Sequence, residues 1–300
     1  MLIVEEMIKT GSYINKKELK FMKKKFTVFD FQRCKDEGNK FTMVCAYDYT
    51  MASIINESDV EAILVGDSVG MIEQGLAGTV SVTMDQMIYH TKCVVKGAPD
   101  TFIVGDMPFG SYNVSCEQAI INANRFMKEG GCDAVKLEGG VEVADKIAAI
   151  TKAGIPVMGH IGLTPQTAAA LGGFKIQGKS LESVRKIIED AKAVEVAGAF
   201  MTGLEAVPVD VAKLIGEIIK IPINGIGSGI YTDGPGLLTA DMLGIYKSDR
   251  PKSKFVKQYA ILRPMMVEAL NQFHRESQEG LYPSAEYSYN TKIEGLETLK

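Results

Sequence analysis

Short apolar runs recur along the chain from Phe41 onward. They are rich in Val, Ile and Leu, and their apolar residues are continuous rather than alternating with polar ones. This pattern is typical of strands that are buried on both faces, as in a parallel sheet. The runs, of which the last fits less clearly, are FTMVCAYD, EAILVGDS, TFIVGDMP, DAVKLEGG, IPVMGHIG, AFMTGLEA, IPINGIGSG and GLLTADMLGI.

Helical spacing of apolar residues occupies most of the segments between these runs. In CEQAIINANRFMKEGG one side of the predicted helix carries Ala119, Ile120, Ala123, Phe126 and Met127, and the paired glycines predict the end of the helix. In SLESVRKIIEDAKAVEVAG, Ser180 is the predicted N-cap and Gly198 the predicted terminator. Strand and helix thus alternate about eight times over roughly 220 residues, which predicts an α/β protein with a (β/α)8 TIM barrel. A doubly wound open sheet is the alternative.

Polar residues end or follow the predicted strands. In a (β/α)8 barrel the carboxyl ends of all strands meet at one face, and that face carries the active site. We therefore expect these side chains to form a ring. Its members are Asp48 after the first run, Asp67 and Ser68 after the second, Asp106 after the third, Lys136 and Glu138 in the fourth, His160 in the fifth, Glu205 in the sixth, and the GIGSG turn after the seventh.

Three of these acids, Asp67, Asp106 and Glu138, come from adjacent strands, so their carboxylates can converge on one point. Clustered carboxylates repel one another, and protonation or a bound cation relieves the repulsion. Because the cluster offers oxygen ligands only, Mg2+ is favoured over Zn2+. A helix N-cap or a loop salt bridge is the structural alternative for each acid taken alone.

The remaining candidates each have a structural alternative as well. Lys136 lies two positions before Glu138, so both side chains point to the same side of a strand, and Lys136 pairs either with a substrate carboxylate or with one of the acids. Glu205 is either a general base or an acid that points to solvent. His160 is either a ligand or proton carrier or a hydrogen-bonded structural residue. The GIGSG turn fits a phosphate site or simply a tight backbone turn.

Composition excludes several classes of protein. The formal net charge is -4 and charges of both signs are intermixed, so we expect no nucleic-acid partner. The start MLIVEEMIKTGS lacks the apolar core of a signal peptide, and the longest uncharged stretch, 153–174, holds two prolines and five glycines, so we expect no membrane span. The five cysteines form no C-x-x-C pair, which argues against a zinc site or a disulfide framework. These features predict a cytoplasmic protein with buried, reduced thiols.

Ten motifs follow one another along the chain: AYDYTMA, LVGDSVGM, VTMDQMIYHTKCV, GDMPFGSY, AVKLEGG, VMGHIGLTPQ, GGFKIQGK, LEAVP, GIGSG and TDGPGLL. Their order resembles that of the 3-methyl-2-oxobutanoate hydroxymethyltransferase (ketopantoate hydroxymethyltransferase) family, over about residues 26 to 285. The resemblance implies a barrel of the phosphoenolpyruvate/pyruvate superfamily type. It also implies transfer of a hydroxymethyl group from 5,10-methylenetetrahydrofolate to 3-methyl-2-oxobutanoate, which gives 2-dehydropantoate for pantothenate and coenzyme A synthesis.

The resemblance also assigns roles to residues, position by position. It implies a Mg2+ site at Asp67, Asp106 and Glu138, an oxo acid site at Asp67, Ser68, Asp106 and Lys136, and a proton acceptor at Glu205. The expected partners are small-molecule substrates and further copies of the chain, since this family often forms homodecamers.

The implied organisation has three segments: an extension over 1–25, one catalytic barrel over 26–285, and a tail over 286–300. Asn224 stands where the family usually has an apolar residue, which affects the expected shape of the rim before GIGSG. A related Mg2+-dependent aldolase or lyase acting on another 2-oxo acid is the alternative function. The KKCGH-like loop of isocitrate-type lyases is absent from the sequence, which argues against that alternative. A barrel kept only as a scaffold would have lost some of the ring residues, and all of them are present.

Overall fold

The computed structural model describes residues 23–247 and 253–299, and it divides into two compact units, Met1–Gly236 and Leu237–Lys300. Residues 1–22, most of the predicted extension, lie outside the described residues. The strands are β1 Met43–Cys45, β2 Ala62–Val65, β3 Phe102–Asp106, β4 Ala134–Glu138, β5 Val157–Gly162, β6 Met201–Glu205, β7 Ile223–Ile226 and β8 Gly234–Leu238.

The strands form a closed barrel in chain order, in which β1 to β8 pair as parallel neighbours. The predicted (β/α)8 barrel is therefore confirmed, and the open sheet is excluded. The register aligns the functional strand ends: Asp106 pairs with Lys136, and Glu138 pairs with His160. Since paired residues of parallel strands point to the same face, these four side chains share the barrel interior.

The eighth strand differs from its prediction. It begins at Gly234 and ends at Leu238, and the second half of the apolar run, from Thr239 to Met242, is a short helix. The sequence GPGLL has the composition of a turn. The glycine is required because a Cβ at Gly234 would lie 2.5 Å from the carbonyl oxygen of Phe41. Close backbone approach, rather than side-chain packing, determines this part of the barrel.

Helices connect the strands. They are α1 Val28–Glu37, α2 Tyr49–Asn56, α3 Val69–Ile72, α4 Met84–Gly97, α5 Cys116–Arg125, α6 Ala144–Lys152, α7 Leu181–Val196, α8 Val209–Ile218, α9 Thr239–Met242 and α10 Leu262–Gln278.

The predicted helix boundaries are confirmed where capping residues mark them. The Ser180 side chain accepts a hydrogen bond from the Ser183 backbone N–H at the start of α7, and the two serines form a capping box. Helix α5 continues into a π-helical turn, Phe126–Gly130, and Gly131 follows it in the left-handed conformation. The paired glycines thus end this helix as predicted.

The amino end of the barrel is closed by an apolar cluster around α1. Thr27 and Asp30 form a capping box that starts this helix and turns Phe31 inward. The Phe31 ring is fully buried and lies 5.1 Å from the rings of both Phe41 and Phe102. Five members of the cluster begin strands: Met43, Ala62, Phe102, Ala134 and Met201. Cys34, Val104 and Met158 complete it. The polar residues of the interior therefore collect at the opposite, carboxyl end.

The second unit contains α9, α10 and two short 3-10 turns, Ala285–Tyr287 and Leu296–Leu299. Helix α10 buries none of its residues, and its exposed apolar side chains include Met265, Leu270 and Phe273. No helix within the described ranges is long and apolar enough to cross a membrane. All five cysteines are free thiols, in agreement with the prediction, but only Cys34 and Cys132 are buried as expected; the other three are partly exposed.

The cluster at the amino end yields a stability prediction. Replacing Phe31 with Ala removes a fully buried ring, and we expect the free energy of unfolding to fall by about 3–5 kcal/mol. Urea denaturation followed by circular dichroism measures it. Phe29→Ala is the matched control, because Phe29 lies on the same helix with 80% of its surface exposed. Equal losses in the two variants would contradict the central role of Phe31.

Candidate active site

The predicted ring residues meet at the carboxyl end of the barrel. Asp106, Glu138 and Glu205 are the last residues of β3, β4 and β6, and Asp67 follows β2 by two residues. The side chains of Asp67, Asp106 and Glu138 are buried, and oxygen atoms of the three carboxylates lie within 4.8 Å of one another. Three oxygen ligands at this separation fit a hard divalent cation such as Mg2+.

Lys136 is the positive charge at the centre of this cluster. Its Nζ lies 2.8 Å from Asp106 Oδ1 and 3.1 Å from Glu138 Oε1, and the lysine is buried. Burial alone would lower the pKa of Lys136, but the surrounding carboxylates raise it well above the usual value, so the side chain is an ammonium ion. One ammonium ion balances only one of three carboxylates.

The acids respond differently to burial. Desolvation, reinforced by the Asp106 and Glu138 charges, raises the pKa of Asp67 well above its usual range. Desolvation likewise raises the pKa of Asp106, although Lys136 opposes it. At Glu138 desolvation is outweighed by Lys136 and His160, and the pKa falls to about 2. The ionised form is therefore least favourable at Asp67 and Asp106, where a proton or a bound cation would relieve the repulsion between the carboxylates.

His160 connects this cluster to Glu205. Its Nδ1 lies 3.3 Å from Glu138 Oε1 and its Nε2 lies 3.1 Å from Glu205 Oε2, although neither contact has the alignment of a hydrogen bond. Burial and Lys136 act to lower the pKa of His160, but the two carboxylates raise it to about 9. The imidazole is therefore protonated at neutral pH. The geometry places His160 as a charged group between two acids, and not as the hydrogen-bonded residue of the structural alternative.

Two predicted residues have partners outside the acid cluster. The Ser68 Oγ lies 2.8 Å from the hydroxyl of the buried Tyr47, so Tyr47 orients the serine. Asp48 does not join the ring, because it is exposed and its side chain accepts a hydrogen bond from the Met51 N–H as the N-cap of α2. For Asp48 the structural alternative is the correct one.

The GIGSG turn holds the backbone on either side of Glu205 through its serine. Its Ser228 is buried, donates a hydrogen bond to the carbonyl oxygen of Leu204 and accepts one from the Val207 N–H. The serine hydroxyl thus holds the end of β6 in position. This use does not require a phosphate ligand.

The backbone around Glu205 is tightly constrained. The carbonyl oxygen of Glu205 accepts a hydrogen bond from the Leu163 N–H, and a Cβ at Gly162 would lie only 2.4 Å from the same oxygen. Ala206, with φ of 51°, is the one non-glycine residue with a positive φ in the part of the chain that the structure describes. Backbone strain of this kind is often found at functional sites.

The side chain of Gln166, in the 3-10 turn Pro165–Thr167 after β5, joins two of the acids. Its Nε2 donates to Asp67 Oδ2 at 2.9 Å, and its backbone N–H donates to Glu138 Oε2 at 2.9 Å. The hydroxyl of Tyr112 lies 2.6 Å from Gln166 Oε1 and accepts a hydrogen bond from the Glu138 N–H at 3.2 Å. Gln166 and Tyr112 are both buried.

Comparison with known proteins agrees with this geometry. A sequence model of the family described as ketopantoate hydroxymethyltransferase matches residues 25–285. The chain belongs to this family. It is 52% identical over 277 residues to the 3-methyl-2-oxobutanoate hydroxymethyltransferase of Heliobacterium modesticaldum, which covers 92% of this chain and 100% of that protein. The enzyme of the same name from Clostridium beijerinckii is 51% identical over 275 residues, with 92% and 99% of the two chains covered.

Solved structures with the same barrel are more distant in sequence from this ketopantoate hydroxymethyltransferase family member. A phosphonopyruvate hydrolase, in complex with oxalate and Mg2+, has a TM-score of 0.56 at 13% identity, with 87% of this chain and 93% of that chain covered. A phosphoenolpyruvate phosphomutase from Streptomyces platensis subsp. rosaceus has a TM-score of 0.57 at 14% identity, with 85% and 88% covered. At 13–14% identity these likenesses show the fold alone, a barrel of the predicted (β/α)8 kind.

Sequence reasoning missed several residues that this family member uses to build the site. Gln166, Tyr112 and Tyr47 all lie within quoted motifs, but no spacing rule connects a loop amide or phenol to acids on other strands. Sequence reasoning also did not place Cys45, at the end of β1, beside the acids. Burial, followed by the charge of Asp106, raises the pKa of the Cys45 thiol to about 12. Cys45 is therefore a neutral lining residue rather than a nucleophile.

Lys136→Met tests the charge balance of the cluster. Removing the ammonium leaves buried carboxylates without their partner, so we expect the free energy of unfolding of metal-free protein to fall by about 3–5 kcal/mol. Chemical denaturation in the presence of a chelator measures it. Lys152→Met, at an exposed position that ends α6, is the control. If Lys136→Met unfolds like the control, the ammonium does not stabilise the cluster.

Ala206 yields a second prediction, about backbone strain. A β-branched residue at a positive φ is strongly disfavoured, so Ala206→Val should lower the free energy of unfolding by about 1–3 kcal/mol. Ala206→Gly, which accepts this φ without strain, is the matched control and should stay within about 1 kcal/mol of the parent. Thermal and urea unfolding measure both. A stable Ala206→Val variant would show that the strain is relieved by local movement.

Proposed function

We propose that this protein transfers a hydroxymethyl group from 5,10-methylenetetrahydrofolate to 3-methyl-2-oxobutanoate and forms 2-dehydropantoate. Family membership and the names of relatives about half identical in sequence support the proposal. The observation that carries it is the convergence of Asp67, Asp106 and Glu138 around Lys136, beside His160 and Glu205.

Asp67, Asp106 and Glu138 would hold Mg2+ as the cofactor. The donor set fits this ion, because all three ligands are carboxylate oxygens and the negative charge of the cluster exceeds the charge of Lys136. When bound, Mg2+ supplies a Lewis acid that stabilises negative charge developing on the oxo acid.

Lys136 and Ser68 would bind the oxo acid together with Asp67 and Asp106. The Lys136 ammonium is held by Asp106 and Glu138 and offers positive charge to the substrate carboxylate. The Ser68 hydroxyl, positioned by Tyr47, would donate a hydrogen bond to the same carboxylate. These contacts fix the acceptor substrate in a defined orientation, which is a major source of rate enhancement.

Glu205 would act as the general base. It is the most exposed of the four acids, with 17% of its side-chain surface exposed, and it lies against protonated His160. Its carboxylate takes the proton from C3 of the oxo acid, and that carbon then forms the new bond to the folate methylene carbon. Both C–N bonds of the methylene carbon break, and one water supplies the hydroxyl oxygen. The two protons of that water and the proton from C3 end on N5, on N10 and on the new hydroxyl, and tetrahydrofolate leaves. His160 has a supporting role, in which it keeps the Glu205 carboxylate oriented.

Self-association into a homo-oligomer, with the homodecamer of the family as the expected size, is part of the proposal. The exposed apolar face of α10 is consistent with burial against another copy of the chain. Analytical ultracentrifugation of the purified protein measures the assembly size.

Proton exchange at C3 tests the proposed chemistry. With 3-methyl-2-oxobutanoate in heavy water, the protein should catalyse exchange that requires Mg2+ but no folate, and it should form 2-dehydropantoate once 5,10-methylenetetrahydrofolate is added. Nuclear magnetic resonance follows both reactions. The proposal is refuted if the protein catalyses no exchange and forms no product at any Mg2+ concentration.

Substitutions separate the assigned roles. Glu205→Gln should lower the exchange rate by about 10²- to 10⁴-fold and leave Mg2+ binding intact, because it removes the base alone. Asp67→Asn and Asp106→Asn should weaken Mg2+ binding measured by calorimetry. Glu217→Gln, at an exposed position on α8, is the control. Full exchange activity in Glu205→Gln would remove the base assignment only.

A further inference from the structure

Gln166 is buried, carries no charge and is not among the residues assigned to substrate or metal, yet all its side-chain polar atoms have partners at the acid cluster. Its Nε2 donates to Asp67 Oδ2 and to the carbonyl oxygen of Met107, at 2.9 and 3.0 Å. Its Oε1 faces the hydroxyl of Tyr112 at 2.6 Å. Buried amides with every donor and acceptor satisfied have one fixed orientation.

The orientation of the amide follows from the chemistry of its partners. A backbone carbonyl oxygen can only accept, so the amide nitrogen of Gln166 must be the atom that faces Met107. The oxygen then faces Tyr112. The single hydroxyl proton of Tyr112 goes to Gln166 Oε1, the shorter of its two acceptor contacts, while its lone pair receives the Glu138 N–H.

Two carboxylates depend on this arrangement. The Gln166 side chain determines the rotation of the Asp67 carboxylate through Oδ2, and the Gln166 backbone N–H determines that of Glu138 through Oε2. Tyr112 bonds both to the amide of Gln166 and to the backbone of Glu138. One residue of the turn after β5 thus aligns an acid that follows β2 and an acid that ends β4.

We propose that Gln166, held by Tyr112, is a positioning residue that presets Asp67 and Glu138 for binding a divalent cation. The inference rests on the proposed function, since it assumes that these acids are the metal ligands. Residues that orient metal ligands typically change metal affinity 10- to 100-fold when they are replaced. Gln166 acts through Asp67 and Glu138 and needs no contact with the substrate.

Direct metal titration tests the proposal. Mn2+ binding followed by electron paramagnetic resonance, and Mg2+ binding followed by calorimetry, are measured on the full chain without substrates. Gln166→Met keeps the volume and the backbone N–H but loses the side-chain donor, and it should weaken Mn2+ binding about 10- to 100-fold. Tyr112→Phe frees the amide to rotate and should weaken binding by a smaller factor.

Controls exclude a general loss of structure. The control for Gln166→Met is Gln32→Met, because Gln32 lies on α1 at the amino end of the barrel. The control for Tyr112→Phe is Tyr89→Phe, because Tyr89 is exposed on α4. Both control variants should bind Mn2+ as the parent does. In turnover assays, Gln166→Met should require a proportionally higher Mg2+ concentration for half-maximal rate, and saturating Mg2+ should recover most of kcat. A merely structural role would not produce this separation.

The outcomes distinguish this inference from the proposed function. Parent protein that binds Mn2+ and variants Gln166→Met and Tyr112→Phe that bind it equally well would overturn the positioning role and leave the metal site intact. Parent protein that binds neither Mn2+ nor Mg2+ would overturn both. If Gln166→Met does not fold by circular dichroism, Tyr112→Phe decides, because parent-like affinity in that variant overturns the role.

Discussion

The cost of burying charge governs this structure. Three carboxylates and one ammonium are buried at the carboxyl end of the barrel. Burial costs each of them several kcal/mol of hydration free energy, which only pairing and hydrogen bonds offset. Lys136 compensates Asp106 and Glu138 directly, whereas Asp67 receives only hydrogen-bond donors. Gln166 donates to Asp67 and Glu138, and Tyr112 holds the Gln166 amide in place. Because the three carboxylates exceed the single charge of Lys136, the cluster has the charge balance that a bound cation would complete.

The barrel is the part of the fold that the sequence predicts best. Continuous apolar runs separated by helical segments require a parallel sheet covered on both faces, and no other closed arrangement fits that number of repeats. The last strand is harder to find, because Gly234 and Pro235 are there for close backbone approach instead of packing. Helix α1 was not predicted either, because it buries few apolar residues and so lacks a clear helical pattern. Its importance comes from Phe31, which packs against residues of strands that are distant in sequence.

The acids of the site were predictable for a geometric reason: strand ends in a barrel converge wherever the strands lie in the chain. Asp67, Asp106, Lys136 and Glu138 are therefore found from position alone. Position after a strand does not distinguish an acid of the site from an acid that caps a helix. Asp48 follows β1 in the same way, but its carboxylate accepts a hydrogen bond from the Met51 N–H at the start of α2. Residues such as Gln166 and Tyr112 reach the site from loops, and their contacts depend on loop conformations that no periodicity encodes.

The barrel interior has an apolar layer around Phe31 at the amino end and a charged layer around Lys136 at the carboxyl end. These layers respond to sequence change in opposite ways. Any loss of volume in the apolar layer weakens the fold, whereas simultaneous replacement of a buried charge network by apolar residues of similar size is often neutral or stabilising by about 1–4 kcal/mol. A selection for heat resistance alone would therefore preserve the amino end and erode the carboxyl end. Such a barrel would gain stability as it lost the charged groups of the proposed site, so the charged layer persists only under selection for activity.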